Sequence, residues 1–159
     1  MPDHPFDVDA FLAAPRTARL ATNTPAGPAV RPVWFLWEEG AFWTLTGPWA
    51  KLRQHVEADP RVAVVVDDCD LATGRVRQVM ARGGAELLPF DAPRGRRKLS
   101  RYLGPDESRW DRRFTGYLYG DPTAGGAVWL RLAPATLTVK DLSYAVEPPV
   151  EPPAGPASP

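Results

Sequence analysis

A hydroxyl and a cation flank a predicted helix start in the segment Thr46-Gly47-Pro48-Trp49-Ala50-Lys51. Pro48 suits the first position of a helix because its missing N–H would be unpaired there. Unpaired N–H groups and the positive end of the helix dipole would then lie beside Thr46 and Lys51. This combination binds anionic groups, typically phosphate. The alternative is a hairpin and a helix with a solvated lysine, because a single Lys near a helix start is a motif of low specificity.

A hairpin precedes this segment and would position both side chains. Residues 29–37 are rich in Val, Phe and Trp and predict one strand, and residues 41–46 predict the returning strand. The Glu-Glu-Gly triplet between them predicts a turn, because Gly adopts φ > 0 without a steric cost. A helix is predicted over residues 48–58. Thr46 then ends the second strand, and Lys51 lies in the first turn of the helix.

Four further strands and three further helices are predicted in the rest of the chain. The strands are residues 17–23, 61–67, 75–88 and 127–142, the last interrupted at Pro134. The helices are residues 7–14, 91–103 and 107–119. Because the strands do not alternate with helices, the pattern favours an antiparallel barrel over a parallel sheet. The predicted fold class is mainly β (α+β), with six strands and a few peripheral helices.

Length, charge and composition limit the class of protein. A chain of 159 residues suffices for one domain with a substantial core. The net charge of zero argues against an electrostatic nucleic-acid binder, and no apolar run approaches the ~18–20 residues of a membrane span. The single Cys69 cannot form an internal disulfide, so we expect a cytoplasmic protein. Residues 147–159 are nearly all Pro, Glu, Ala and Gly, which predicts a disordered tail after a domain of residues 1–146.

Four segments, by their order and spacing, resemble the pyridoxamine 5′-phosphate oxidase-like family of flavin-binding split barrels. They are residues 31–37, Thr46-Gly47-Pro48 with Lys51, residues 59–62, and residues 77–80 leading into Gly84-Ala85-Glu86. The similarity extends over about residues 8–145. It implies an antiparallel split β-barrel with Greek-key-like connections and FMN as the cofactor. It also implies a homodimer with two flavins at the subunit interface.

The resemblance further implies which residues bind the cofactor. Arg31 matches an arginine that the family's first strand supplies to the FMN phosphate, and Thr46 and Lys51 match the hydroxyl and the basic residue that contact the same phosphate. Gln78 matches a glutamine that contacts the flavin ring. The full set of predicted cofactor-binding residues is Arg31, Pro32, Val33, Trp34, Leu45, Thr46, Lys51, Leu52 and Gln78. No catalytic residue and no metal ligand is predicted, since in a flavoenzyme the cofactor carries the redox chemistry.

Two departures from the family's oxidases concern the substrate. Those oxidases bind pyridoxal phosphate with a Lys five residues after the strand Arg, where this chain has Leu36. They also carry an Arg-x-His motif after the last strand, where this chain has Ser143-Tyr144. The expected function is therefore FMN-dependent hydride transfer to or from a small conjugated substrate, not oxidation of pyridoxamine phosphate.

Several alternatives remain open at the level of the sequence. Residues 101–110 resemble a branch of the family that includes F420-dependent reductases, so F420 is the alternative cofactor. A non-catalytic flavin-binding protein would have the same fold, and fold alone does not separate the two classes. Arg31 could instead pair with Glu38, Glu39 or an aspartate, and Gln78 could be a solvated strand residue.

Overall fold

Eight strands and four α-helices make up the part of the chain that the computed structural model describes, residues 3–120 and 126–150. In chain order the elements are α1 (Val8–Ala13), β1 (Thr17–Thr24), β2 (Gly27–Trp34), β3 (Leu36–Glu38), β4 (Ala41–Thr46), α2 (Leu52–Ala58), β5 (Arg61–Asp70), β6 (Arg75–Pro89), α3 (Ala92–Leu103), α4 (Arg112–Tyr119), β7 (Val128–Leu132) and β8 (Thr136–Asp141). A short 3-10 helix, Glu107–Arg109, lies between α3 and α4.

The strands form one antiparallel sheet in the order β2-β1-β5-β6-β7-β4-β3, with β8 paired to β6. The two end strands, β2 and β3, are separated in the chain by Phe35 alone, so the sheet must curve back on itself. β2 and β4 pack beside each other at this point, but no ladder joins them. The described strands therefore form one strongly curved sheet.

The mainly β, antiparallel class is confirmed, but the predicted number of six strands is wrong. Two predicted strands are each divided in the structure. Residues 29–37 are interrupted at Phe35, which separates β2 from β3, and residues 127–142 are interrupted around Pro134, which separates β7 from β8. The second interruption coincides with a change of partner, because β7 pairs with β4 and one end of β6 whereas β8 pairs with the other part of β6.

Gly83 marks the place where the chain between β7 and β8 crosses β6. A Cβ atom at Gly83 would lie 3.0 Å from the carbonyl oxygen of Ala133 and 3.2 Å from the backbone nitrogen of Ala135. A Gly-Gly pair inside a predicted strand, as at Gly83-Gly84, predicts a bend, a bulge or a close backbone approach. The structure shows the close approach, within a β6 strand that continues through both glycines.

Three hydrophobic clusters hold these layers together. The largest fills the concave side of the sheet, where α1 contributes Phe11 and Leu12 and α2 contributes Leu52 and Val56. Alternate residues of a strand face opposite sides, so β4 also contributes to a second cluster on its other face. That cluster consists of Leu36, Ala41, Trp43 and Trp129. The third, Leu99, Trp110 and Leu118, lies between α3 and α4.

The helix predicted over residues 91–103 is confirmed, and the helix predicted over residues 107–119 is divided. Asp91 caps α3 by accepting a hydrogen bond from the backbone N–H of Arg94 at 2.8 Å. The second segment begins as the short 3-10 helix and restarts as α4 after Asp111, whose carboxylate accepts from the backbone N–H of Arg113 at 2.9 Å. A second N-cap carboxylate thus starts a new helix where the sequence pattern predicted a continuous one.

Side chains of α3 bind the backbone at Phe35, the residue that interrupts the first strand. The N–H of Phe35 donates to the Tyr102 hydroxyl at 3.0 Å, and this hydroxyl lies 2.8 Å from the Arg16 carbonyl oxygen, which accepts its proton. Arg101 donates to the carbonyl of Phe35 at 2.9 Å. These contacts replace the ladder bonds that Phe35 would make in a continuous strand.

Lys98 is a second notable residue of α3. The residue is only 7% exposed, and its ammonium group makes no hydrogen bond or ion pair with the described residues. Burial lowers the pKa of its ammonium group from 10.5 to about 8, and the nearby charge of Arg101 acts in the same direction. A buried, unpaired cation of this kind destabilises the folded state.

Beyond β8 the described chain is exposed and contains no helix or strand. The backbone N–H of Tyr144 donates to the carbonyl of Gly74 at 2.9 Å, so the chain after β8 lies against the β5–β6 turn. Residues 151–159 of the predicted tail lie outside the described residues, and the boundary at residue 147 stays a prediction. No helix among the described residues is long and apolar enough to cross a membrane.

The Tyr102 hydroxyl gives a first testable prediction. Tyr102→Phe removes the partner of the Phe35 N–H and of the Arg16 carbonyl, and a buried group left unpaired costs about 1–3 kcal/mol. We expect the free energy of unfolding in urea to fall by that amount. Tyr144→Phe, at a half-exposed tyrosine, is the control and should change stability little. Equal stability of both variants would contradict the role assigned to Tyr102.

Lys98 gives a second prediction, with a defined pH dependence. The folded pKa of about 8 lies below the unfolded value of 10.5, so between these pH values the unfolded state binds more protons and stability rises with pH. Below pH 8 the full cost of the buried charge remains, on the order of 3 kcal/mol. Lys98→Met should therefore raise the free energy of unfolding at pH 7, and this advantage should shrink as the pH rises toward 10.5.

Denaturant unfolding at several pH values measures this difference. Lys140→Met removes an exposed lysine on β8 and serves as the control, with no comparable stabilisation expected. A Lys98→Met protein that is less stable than wild type at pH 7 would show that the ammonium group has a stabilising partner.

Candidate functional site

The segment between β4 and α2, where the sequence predicted an anion site, is a turn and not the first turn of a helix. The predicted helix start at Pro48 is wrong, because α2 begins at Leu52. The backbone N–H of Ala50 donates to the carbonyl of Gly47 at 3.1 Å, which closes the turn. The indole of Trp49 folds back over Gly47, where a Cβ atom would lie 2.3 Å from the ring. Packing of this indole accounts for the turn, and Lys51 becomes the exposed residue that immediately precedes α2.

Arg31 and Thr46, two of the predicted phosphate-binding residues, lie on the concave face of the sheet. Arg31 pairs across the ladder with Leu20, which is 1% exposed, so both side chains are on the inner face. Thr46 ends β4 and is 1% exposed. The Thr44 hydroxyl donates to the carbonyl of Trp34 at 2.8 Å, so β4 contacts the end of β2 close to both residues. The third residue of the predicted set, Lys51, follows five positions after Thr46.

Both residues carry a buried polar atom without a partner. Nε of Arg31 and Oγ1 of Thr46 are shielded from solvent and make no hydrogen bond with the described residues. Four other buried side-chain atoms of the described residues are also unpaired: Oγ1 of Thr22, Nδ1 of His55, and Nε of Arg77 and of Arg101. Arg31 and Thr46 are the two that belong to β2 and β4, which contact each other, and a ligand with acceptor atoms at that place would pair with both. The residues present thus fit the phosphate group of a cofactor.

The alternative interpretation of Arg31, an ion pair with Glu38 or Glu39, does not apply. Glu38 pairs with Arg94 at 2.9 Å and with Arg97 at 2.8 Å, and Glu39 lies 3.8 Å from Arg94. The hydrogen bond from Arg97, opposed in part by burial, lowers the pKa of the Glu38 carboxyl. Arg31 forms no ion pair with any carboxylate in residues 3–120 and 126–150.

The other predicted cofactor residues occupy different surroundings. Pro32 is exposed on the outer face of β2, and Val33 packs against the main core. The side chain of Leu52 is 2% exposed and belongs to the core, so only its backbone is available to a ligand. Gln78 pairs across the sheet with Asp67 and Lys140, on the face opposite to the buried Val79. Within one chain, Gln78 and Arg31 therefore lie on opposite faces of the sheet.

Trp34 and Leu45, the remaining two predicted residues, line a cavity between the α3–α4 pair and the outer face of β4 and β7. Its volume is about 170 Å³. The described residues that line it are Trp34, Leu45, Trp49, Phe90, Gly95, Lys98, Leu99, Phe114, Tyr117, Leu118 and Trp129. Leu45 and Thr46 are adjacent on β4 and face opposite sides, so the cavity and the Arg31–Thr46 pair are separate parts of the molecule.

Aromatic stacking fixes the walls of this cavity. Trp34 stacks on Tyr102 with ring centroids 4.5 Å apart and on Phe114 at 5.6 Å. The indole N–H of Trp129 donates to the Asp91 carboxylate at 3.1 Å, which joins β7 to the start of α3. Trp49 and Tyr117, 53% and 43% exposed, lie at the mouth of the cavity.

Lys98 is the only charged side chain among the described residues that line the cavity, and the sequence analysis did not single it out. The signal was present in the sequence. Lys98 shares helical spacing with Gly95, Leu99 and Tyr102, which form the buried side of α3. The basic character of the segment suggested a solvated helix and concealed this position.

Asp68, beside Cys69, forms ion pairs with arginines from two other parts of the fold. Asp68 pairs with Arg77 at 3.1 Å and with Arg16 at 3.2 Å. The hydrogen bond from Arg77 outweighs burial and lowers the pKa of the Asp68 carboxyl. This carboxylate is engaged in these ion pairs and brings no ligand set into the cavity.

Solved structures with the same fold include proteins of several descriptions. A conserved hypothetical protein from Mycobacterium tuberculosis is 22% identical, covers 89% of this chain and 88% of that chain, and has a TM-score of 0.68. A structure named F420 Reductase is 25% identical and has a TM-score of 0.59, and the match covers 84% of this chain and 98% of that one. A FAD-binding protein from Mesorhizobium loti is 24% identical and has a TM-score of 0.58, and the match covers 85% of this chain and 92% of that one. A search of curated proteins found no match.

The comparison with protein families covers most of the chain. The sequence model described as pyridoxamine 5′-phosphate oxidase matches residues 7–140, from the cap of α1 to the end of β8. The match includes the curved sheet, the Arg31–Thr46 pair and all described residues that line the aromatic cavity. The chain therefore belongs to the pyridoxamine 5′-phosphate oxidase family.

Proposed function

We propose that the protein is a flavin-dependent oxidoreductase that binds FMN between two copies of the chain. It would transfer hydride to or from a small conjugated substrate. The observation that carries this proposal is the pair of buried atoms, Nε of Arg31 and Oγ1 of Thr46, that have no partner among the described residues. A buried donor left unpaired costs about 1–3 kcal/mol, and a ligand that supplies acceptors removes this cost.

A phosphate group meets the chemistry of these residues. Its oxygens accept hydrogen bonds from the Arg31 guanidinium and the Thr46 hydroxyl, and the exposed Lys51 adds a positive charge on the solvent side. Charge-assisted bonds of this kind are about twice as strong as neutral ones. When bound, FMN supplies the hydride chemistry. The chain fixes the phosphate end, orients the ring relative to the sheet and excludes water through the core residues beside Arg31.

Gln78 supports a homodimer. Arg31 and Gln78 lie on opposite faces of the sheet within one chain, so both contact one cofactor only if it lies between two copies. The outer face that carries Gln78 also carries Val30, Val65 and Met80, which are exposed or half-buried. A second copy seated on this face would cover these apolar side chains.

F420 is the second candidate cofactor. A structure named F420 Reductase is 25% identical over most of this chain, and residues 101–110 resemble the branch of the family that includes such reductases. An F420-dependent reductase would use the same fold. The absorbance spectrum separates the two candidates, because FMN and F420 have different bands.

Oxidation of pyridoxamine phosphate is not part of the proposal. Leu36, at the place where the family's oxidases have a lysine, is 6% exposed and packs with Trp43 and Trp129. It offers neither a charge nor a hydrogen-bond donor to a second phosphate. Burying a charged group there without a partner would cost on the order of several kcal/mol.

The test of the proposed function combines a spectrum with cofactor titrations. We expect purified protein to show flavin absorbance and to oxidise reduced cofactor with quinones or enones, but not to convert pyridoxamine phosphate. Arg31→Gln and Lys51→Gln should each weaken FMN binding about ten- to a hundredfold, the effect of one lost charge-assisted contact. Arg53→Gln, on the exposed side of α2, is the matched control.

Riboflavin separates a phosphate contact from a general loss of binding, because it lacks the phosphate. Its affinity should be the same for wild type and both variants. Variants that bind FMN as tightly as wild type would contradict the phosphate assignment. A cofactor that binds without any turnover would favour a non-catalytic flavin-binding protein.

The oligomeric state gives a further prediction. Sedimentation should show a dimer at micromolar concentration, and Met80→Lys on the outer face of β6 should give a monomer with weakened FMN binding. Leu71→Lys, at a 73% exposed leucine in the β5–β6 turn, is the control and should remain dimeric. A stable wild-type monomer that still binds FMN would exclude the shared site.

A further inference from the structure

The cavity between the α3–α4 pair and the outer face of β4 and β7 has features of a small-molecule site. Six of its described lining residues are aromatic, and Lys98 is the single charged one. We infer that this cavity binds a single-ring aromatic carboxylate whose anionic group pairs with the Lys98 ammonium. Two predicted cofactor residues, Trp34 and Leu45, line this cavity, whereas the Arg31–Thr46 pair that would hold the cofactor phosphate lies on the other face of β4.

The size of the cavity fits a ligand with one aromatic ring. A volume of about 170 Å³ is close to the ~150 Å³ of an engineered apolar cavity that accommodates benzene. One aromatic ring with one small substituent fills such a space. Six aromatic side chains, Trp34 and Phe114 among them, line this space, and a planar ring packs against aromatic neighbours in offset-stacked or edge-to-face geometry.

The burial of Lys98 and its lack of a counter-charge indicate that the ligand is an anion. Lys98 is only 7% exposed, and its ammonium group has no hydrogen-bond or ion-pair partner among the described residues. The neighbouring Arg101 is committed to the carbonyl oxygens of Leu12, Ala14 and Phe35. No carboxylate is among the described residues that line the cavity. A ligand carboxylate would therefore supply the missing counter-charge.

One cation favours one negative charge. The folded protein has already desolvated the Lys98 ammonium, so an incoming carboxylate meets a preorganised partner in a medium of low dielectric constant. A phosphate monoester would bring about two negative charges at neutral pH. Its second charge would be buried without a partner, which is costly. The cavity thus favours carboxylates over phosphates.

Calorimetric titration of the full chain with benzoate tests the inference, with quenching of tryptophan fluorescence as a second readout. Three matched compounds separate the contributions. Benzamide has the same shape without the charge, cyclohexanecarboxylate has the charge on a ring that is not flat, and phenyl phosphate has a second charge. We expect benzoate to bind more tightly than all three.

Lys98→Met keeps the length of the side chain and removes its charge. This variant is expected to be more stable than wild type, so loss of folding does not obscure the result. Benzoate affinity should fall about tenfold or more, and benzamide affinity should not change. Arg112→Met, which removes an exposed charge at the start of α4, is the control and should bind benzoate like wild type.

Three results would overturn the inference. They are no benzoate binding at millimolar concentration, equal benzoate affinity of wild type and Lys98→Met, and an equal loss of benzamide binding in Lys98→Met. The absorbance spectrum of each sample records whether a flavin or F420 is bound. Absence of cofactor together with benzoate binding would contradict the proposed function alone, and cofactor without benzoate binding would contradict this inference alone.

Discussion

The contacts that α3 makes with the backbone at Phe35 hold the two ends of the sheet in place. β2 and β3 are the end strands of the ladder, and Phe35 is the residue between them. Its N–H and carbonyl, which a continuous strand would pair with a neighbour, are bound by Tyr102 and Arg101. Arg101 also binds carbonyl oxygens at the end of α1 and just beyond it. One turn of helix thus fixes the strand break, the curvature of the sheet and the position of α1.

The same helix carries a group with the opposite energetic effect. Arg101 is partly buried and donates to three carbonyl oxygens, whereas Lys98, one turn earlier, is buried without a described partner. Burial lowers the pKa of both groups, but only Lys98 has a neutral form accessible near pH 8. Groups that reduce stability in this way tend to occur where a ligand is bound, because function and stability compete for the same residues. The aromatic cavity beside Lys98 is consistent with that principle.

The two faces of β4 border two separate environments, one polar and one mainly aromatic. Thr46 faces inward, toward the side of the sheet that holds Arg31, and Leu45 faces outward, toward the aromatic cavity. Alternation along a strand therefore places the phosphate-type chemistry and the aromatic chemistry within two residues but on opposite sides. Gln78 lies in a third location, on the outer face of the β5–β6–β8 region.

The sequence by itself indicated the antiparallel class, the positions of most strands and of α3, the interruption at Pro134, and the family. These features depend on local periodicity, on turn residues and on motif order, all of which are readable along the chain. Tertiary structure decided the break between β2 and β3, since the carbonyl and the N–H of Phe35 are bound by side chains 66 and 67 residues away. Tertiary packing also placed the start of α2 at Leu52 and not at the predicted Pro48, in a segment where Trp49 packs over Gly47. It also buried Lys98, since the fate of a lysine on a basic helix depends on what packs against that helix and not on its own sequence.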